Sequence, residues 1–287
     1  MIKKFKSYIE RYNMQIKWCV CDLDGTLLNS EGFISDKNEV ALKELQDKGV
    51  EIIIASGRTE LMMKQYINQL NICYIIFCNG AIVKNIEKNE IIYSKMLDNE
   101  TASDIIEFFF QNNLNFLVYT EDVVFSNKGN PRAKHFEEIN KSLPVDQMTP
   151  IRYFDLCSMN TMENRDIIKI LLVESDENIP DFVSHYLKRF TNISVLSSAK
   201  GLFDIWASNI SKGSAVKVLS ERLGIDLANV VAFGDHYNDV ELLDVVGVPI
   251  AMENAVDELK SIAKFITLTN DDDGIAYAIN NYMKLMV

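Results

Sequence analysis

The chain has 287 residues, 48% of them hydrophobic and 24% charged, with a formal net charge of −12. This is a globular composition with room for one large domain or two modest ones. The acidic balance excludes broad binding to nucleic acid or to an anionic membrane, which needs a basic face. It leaves open a small phosphorylated ligand, because a metal ion and one or two lysines reverse the sign locally.

Residues 1–13 carry Ile2, Phe5, Ile9 and Tyr12 at helical spacing among lysines. They lack the apolar core and cleavage site of a secretion signal, and read as an N-terminal extension: an amphipathic helix, or a leader upstream of a true start at Met14. The run Ile16, Trp18, Cys19, Val20, Cys21 predicts a strand buried on both faces of a parallel sheet. It ends in Asp22-Leu23-Asp24-Gly25, placing two carboxylates where open α/β sheets hold their ligands. Gly25 lets the chain turn, so the two can diverge. Ser35 then caps a helix through Val40, Leu42 and Leu45 that stops at Gly49. The segment 50–58, VEIIIASGR, gives a second buried strand ending in Ser56, Gly57 and Arg58. A helix through Leu61, Met62, Tyr66 and Leu70 leads to a third strand, ICYIIFCNG, which closes on Asn79 and Gly80. Strand, helix, strand, helix, strand is the signature of a parallel sheet with right-handed crossovers.

From residue 84 the rhythm changes. Strands are predicted near 91–93, 115–119, 122–126, 167–173 and 193–196, with helices near 100–112, 131–141 and 178–190, and the segment 84–196 reads as a separate α+β domain. The α/β rhythm returns after Lys200, so the core comprises 14–83 and 197–287. Ser211 opens a helix through Val216, Leu219 and Leu223 to Gly224, and VVAFGD is a buried strand. A short helix holds Val240, Leu242, Leu243 and Val246; then come the strand VGVPIAM, a helix over 255–263, the short strand FIT and a terminal helix over 275–283. Cys19, Cys21, Cys73, Cys78 and Cys157 form no CxxC pair and are odd in number, which predicts reduced thiols in a cytoplasmic protein. His135, His185 and His236 show no zinc-ligand spacing.

Each polar cluster has an ordinary reading when taken alone. A calcium loop starting at Asp22 needs glycine where Leu27 stands and an acid where Phe33 stands. An Asp-Gly hairpin turn needs a second alternating run, and none follows Leu28. Ser56 alone reads as a turn residue, Lys212 as a solvated surface lysine, Asp239 as an acid at a helix start, and Asn79-Gly80 as a turn. Together they complement one another. A phosphate monoester dianion repels an attacking carboxylate, so a nucleophilic aspartate needs a cation to screen both charges. Magnesium takes oxygen ligands, few of them protein carboxylates.

The order DLDGT at 22–26, SGR at 56–58, SKG at 211–213 and GDHYND at 234–239 resembles the haloacid dehalogenase superfamily. The insert between SGR and SKG resembles that of its Cof-type subfamily (subclass IIB) of small-molecule phosphatases, as do NGA at 79–81, AMENA at 251–255 and DDDG at 271–274. The resemblance implies an α/β fold: a Rossmann-like core with a parallel sheet flanked by helices, plus an inserted α+β cap domain of C2B type. It implies a Mg2+-dependent phosphatase that hydrolyses a small phosphorylated metabolite, a sugar phosphate or phosphorylated cofactor, through an aspartyl-phosphate intermediate. By the same resemblance Asp22 is the nucleophile, and Asp22, the Asp24 backbone carbonyl and Asp235 hold the metal. Asp24 protonates the leaving oxygen and then activates water. Ser56 and Lys212 hold the transferring phosphoryl oxygens, assisted by the Gly25 amide. Asp239 orients Lys212 or metal-bound water, and Asn238 positions the phosphate. Thr26, Gly57, Arg58, Asn79 and Gly80 fall on the substrate side, with His236 a neighbour of the site. The insert is expected to act as a lid that excludes water and selects the leaving group, with Lys128 and Arg132 as candidate contacts. Asn209, where relatives often carry glycine, is a small departure. The expected partner is the metabolite, with no nucleic acid and no membrane, and the chain is a monomer or weak homo-oligomer. Two other functions compete: phosphoryl transfer to an acceptor, as in the related phosphomannomutases, and phosphometabolite binding without turnover.

Overall fold

The computed structural model describes residues 15–145, 148–154, 165–175 and 178–283. The extension read at 1–13 and Cys157 lie outside the described residues. The chain divides into two compact units, one running to Ser94 and resuming at Ser211, the other comprising Lys95–Ile210.

The first unit opens with β1 (Trp18–Cys21), α1 (Asp36–Gln46), β2 (Glu51–Ala55), α2 (Glu60–Leu70) and β3 (Tyr74–Phe77), followed by a hairpin of β4 (Ile82–Asn85) and β5 (Glu90–Ser94). The second unit holds α3 (Asn99–Gln111), β6 (Asn115–Tyr119), β7 (Val124–Ser126), α4 (Pro131–Asn140), β8 (Ile151–Tyr153), β9 (Lys169–Val173), α5 (Asp181–Leu187), β10 (Ile193–Ala199) and β11 (Leu202–Ala207). The chain then returns to the first unit through α6 (Lys212–Leu223), β12 (Val230–Gly234), α7 (Val240–Val245), β13 (Val248–Ala251), α8 (Asp257–Ile262), β14 (Phe265–Ile266) and α9 (Gly274–Ala278).

The first unit's sheet runs β14-β13-β12-β1-β2-β3-β4-β5. Pairing is parallel from β14 through β3 and antiparallel at β3–β4 and β4–β5. All four residues of β1 are buried, as a central parallel strand covered on both faces requires. Its register pairs Cys21 with both Ile54 and Phe233, so the carboxyl ends of β2, β1 and β12 come level. That alignment puts the residue after β1 beside the ends of both neighbours. One face of the sheet packs Trp18, Val20, Ile53 and Ala232 against Val216, Leu219 and Leu242 of α6 and α7. Ser35 caps α1 by accepting from the Asn38 amide at 3.2 Å, and Cys19, Cys21 and Cys78 are buried thiols, with Cys73 partly exposed.

The second unit has a sheet of order β10-β11-β9-β6-β7-β8, antiparallel except for β7–β8. Its core joins Phe109, Phe116, Ile170, Leu172, Phe203 and Ile205, with Val183 and Leu187 from α5. Asn209 adopts φ +58°, a left-handed conformation that asparagine tolerates better than most residues, so the departure from glycine is sterically accommodated.

Both boundaries of the insert differ from the sequence expectation of 84 and 196. Residues 82–94 stay in the first sheet because the turn at Cys78, Asn79 and Gly80, all with positive φ, reverses the chain straight into an antiparallel partner of β3. The change of rhythm at 84 marks the end of helix-strand alternation rather than exit from the sheet. At the other end β11 belongs to the second sheet: Phe203 and Ile205 enter the insert's core while Asp204 and Trp206 alternate to the opposite face. The terminal helix is also shorter than expected, α9 giving way to a wider π turn over Ile279–Met283.

Candidate active site

Asp22 follows β1 directly, and its amide donates to the Phe233 carbonyl at 3.2 Å, which continues the ladder to β12 for one more residue. Its carboxylate is buried. Lys212 is the first residue of α6, placed by the capping box of Ser211 and Ser214. Its Nζ donates to Asp22 Oδ1 and to Asp239 Oδ1, both at 2.6 Å. Lys212 and Asp239 are each wholly shielded from solvent at 0% exposure, so this cation is held by its two carboxylates rather than by water. Asp239 Oδ2 accepts from the amides of Asp235 at 3.0 Å and His236 at 3.2 Å, which folds the loop after β12 back onto itself.

Asp235 lies beside this pair. Thr26 Oγ1 donates to Asp235 Oδ1 at 2.7 Å, and Asn254 donates through Nδ2 to the Gly25 carbonyl at 2.8 Å. Gly25 has φ +79°, and a Cβ there would stand 2.4 Å from Asp235 Oδ2. Only glycine fits that approach. Oxygens of Asp22, Asp235 and Asp239 lie within 4.8 Å of one another. Burial pushes the Asp22 carboxyl well above the usual carboxylate range against the pull of Lys212, and Asp239 and Asp235 add to the rise. Burial also carries Asp235 up to about 6, opposed by its Thr26 hydrogen bond and reinforced by Asp239. Burial alone would lower the Lys212 ammonium, but Asp22 and Asp239 outweigh it and the net shift is upward.

A second group forms at the ends of β2 and β3. Ser56 is buried, its Oγ accepts from the Arg58 amide at 3.2 Å, and its carbonyl accepts from the Asn79 amide at 2.9 Å. Asn238 Nδ2 donates to Asn79 Oδ1 at 2.9 Å, tying this group to the loop after β12. A Cβ on Gly57 would come 3.0 Å from Asn79 Nδ2. Gly80 has φ +101° and passes so close to α6 that a Cβ would stand 2.1 Å from the Ser211 carbonyl oxygen.

The Asp24 carboxylate joins neither group. Arg58 grips it through Nε at 2.9 Å and Nη2 at 2.7 Å, and the Asp24 side chain stays 60% exposed. Burial opposes the charge on Arg58, yet Asp24 and Tyr66 shift its guanidinium upward overall. The His236 ring packs edge-on against Tyr237 at 5.1 Å. Lys128 and Arg132 lie in the second unit, Arg132 with its guanidinium 5.1 Å from the Phe136 ring centroid.

Sequence reasoning gave no roles to Asn254, Asn270, Asp271 or Tyr66. Asn270 Nδ2 donates to the Leu28 carbonyl at 2.9 Å and Asp271 accepts from the Ser30 amide at 2.7 Å, so with Asn254 they brace the loop that follows Asp24. The stretches AMENA and DDDG contain Asn254 and Asp271 without saying what they touch, and Asn270 and Tyr66 lie outside them.

The family described as haloacid dehalogenase-like hydrolase matches the chain over residues 19–279. The 5-amino-6-(5-phospho-D-ribitylamino)uracil phosphatase YwtE of Bacillus subtilis is 32% identical over 283 residues, covering 93% of this chain and 98% of that protein. A second Bacillus subtilis protein of the same described activity, YcsE, is 28% identical over 276 residues, covering 96% and 99%. Among solved structures, a haloacid dehalogenase-like hydrolase from Bacteroides thetaiotaomicron superposes with a TM-score of 0.82 at 30% identity, covering 93% of this chain and 99% of that one.

Proposed function

The chain belongs to the haloacid dehalogenase-like hydrolases, and from that premise we propose that it is a magnesium-dependent phosphatase of a small phosphorylated metabolite, working through an aspartyl-phosphate on Asp22. The observation that carries this reading is Lys212 Nζ at 2.6 Å from both Asp22 and Asp239 in a fully buried position. A buried ammonium at the ends of β1 and α6 supports a site for an anion that binds against Asp22.

The donor set fits a hard divalent cation. Lys212 and Thr26 each engage one oxygen of Asp22 and of Asp235, and the other oxygens, with the Asp24 carbonyl, would hold Mg2+. Asp239 uses one oxygen on Lys212 and the other on two amides, which makes it a brace for the lysine rather than a ligand. When bound, the metal supplies charge that offsets repulsion between carboxylate and phosphate. An Asp22 oxygen attacks phosphorus and the bond from phosphorus to the leaving oxygen breaks, while the Asp24 carboxyl gives that oxygen its proton. Lys212, Ser56 and the Gly25 amide stabilise the equatorial oxygens, and Asn79 and Asn238 flank the phosphate. Water then loses its proton to Asp24 and attacks phosphorus, the bond to Asp22 breaks, and inorganic phosphate leaves.

The described activity of the two Bacillus relatives puts 5-amino-6-(5-phospho-D-ribitylamino)uracil first on a test panel, with sugar phosphates beside it. Purified protein with Mg2+ is expected to release phosphate from at least one panel member, and to lose that release on chelation or with Asp22→Asn. No release from any member, or full activity in Asp22→Asn, overturns the reading.

A further inference from the structure

We propose that Arg58 and Tyr66 are positioning residues for the Asp24 carboxyl, a role that rests on the phosphatase reading above. Two parallel bonds from one guanidinium fix both the direction and the plane of the ionised Asp24 carboxylate, where a single contact would leave it free to turn. To carry the proton it delivers, Asp24 releases one of the two bonds and keeps its direction through the other. The guanidinium is itself fixed. It lies 5.5 Å from the Tyr66 ring centroid, with Nη1 3.4 Å from the Tyr66 hydroxyl. The hydroxyl donates to the Gly32 carbonyl at 2.9 Å. Gly32 sits in a turn closed by its own amide on the Asn29 carbonyl at 2.9 Å and by the Asn29 amide on the Phe33 carbonyl at 3.0 Å.

The chain of contacts therefore starts at Asp24, crosses through Arg58 to Tyr66 in the middle of α2 and returns to the loop that Asp24 itself begins. It closes a ring around the proton-handling carboxyl. Arg58 is 27% exposed against 60% for Asp24, so the better-buried partner dictates where the exposed one points. An ion pair this exposed contributes little to stability; its consequence is geometric.

Proton delivery matters in proportion to the basicity of the leaving oxygen. A p-nitrophenolate departs unaided, whereas an alkoxide needs the proton. The test compares kcat and KM for p-nitrophenyl phosphate and for an alkyl phosphate taken from the panel, in wild type, Arg58→Ala, Arg58→Lys, Tyr66→Phe and Asp24→Asn. Arg58→Ala is expected to lose kcat/KM, which reports the step in which the leaving oxygen departs, on the alkyl ester by about 10²-fold more than on the aryl ester, the cost of a misplaced group. Arg58→Lys keeps the charge without the fork and should fall between. Tyr66→Phe removes one oxygen and should show a smaller loss with the same preference, which keeps the proposal testable if Arg58→Ala does not fold. In an Asp24→Asn background the Arg58 effect should vanish, because Arg58 acts through Asp24.

A kcat loss common to both esters is the share of Asp24 in the water step, whereas an equal loss of kcat/KM on both overturns the proposal and makes Arg58 a phosphate contact or a structural residue. So does an Arg58 effect that persists without Asp24. Failure of wild type to hydrolyse either ester removes the phosphatase reading instead.

Discussion

Lys212 shows how a site residue is defined by its burial. Its ammonium has two carboxylates at 2.6 Å and no solvent, so removing it leaves two like charges facing each other. Lys212→Met is expected to abolish activity and to cost about 3–5 kcal/mol, read as a fall in the urea midpoint. Adding Asp239→Asn should restore part of that stability and none of the activity, and strictly additive losses would show that the pair is not coupled. Gly25→Ala should behave differently. Its methyl group would press on Asp235 Oδ2, so phosphate release should drop while stability, read from the urea midpoint, falls by only about 1–2 kcal/mol. The residue types at these positions were legible in the sequence because the proposed chemistry calls for them: paired acids before a glycine, and a lysine opening a helix. The contacts that hold them were not. Thr26 with Asp235 spans 209 residues and Asn254 with Gly25 spans 229, and a hydrogen bond between such distant positions leaves no local period. The Arg58 grip on Asp24 was equally silent, since an arginine after Ser-Gly can face either way.

At the scale of elements, the strands that carry the site were readable as apolar runs, because burial on both faces leaves little room for polar residues. β1, β2, β3 and β12 all show it. β4 and β11 were harder. A four-residue antiparallel strand after a tight turn resembles loop, and β11 is buried on both faces from Phe203 to Ala207 with an aspartate in its middle, so nothing in its pattern says which sheet it joins. The starts of α1 and α6 were legible through Ser35 and Ser211, and a cap that the sequence reading did not single out gives a pH test. Asp98 caps α3 by accepting from the Thr101 amide at 2.9 Å, and that bond holds its carboxyl below the usual carboxylate range. A group whose folded value is depressed contributes stability above its unfolded value, near pH 4, and loses it as pH falls through the folded one. Asp98→Ala should therefore lower stability at pH 7 by about 1 kcal/mol. Near pH 3 and below the difference between mutant and wild type should shrink, and thermal melts at both pH values would show it.

For the whole molecule, the fold class with its inserted cap domain was legible and the boundaries of the insert were not, because alternation of helix and strand reports topology while only pairing reports membership of a sheet. The structure gives each unit its own hydrophobic core and, by chance of sequence, its own tryptophan: Trp18 in the first, Trp206 in the second, the only two in the chain. Phe116 is fully buried in the second core, so Phe116→Ala should remove about 3–5 kcal/mol from that unit. In a Trp18→Phe background the Trp206 emission should report the shift, and in a Trp206→Phe background the Trp18 emission should move less. Equal shifts would show that the two units unfold as one. The central place of β1 also has a temporal side. Its partner on one edge, β2, begins at Glu51, but its partner on the other, β12, begins at Val230. At ~5–20 residues per second a ribosome takes on the order of 10–40 s to travel from one end of that pairing to the other. For that interval the nascent chain carries a half-built sheet whose open edge is Trp18–Cys21, with Cys19 and Cys21 uncovered to oxidants and to stray strands, and the Asp22 carboxylate without the lysine that will donate to it.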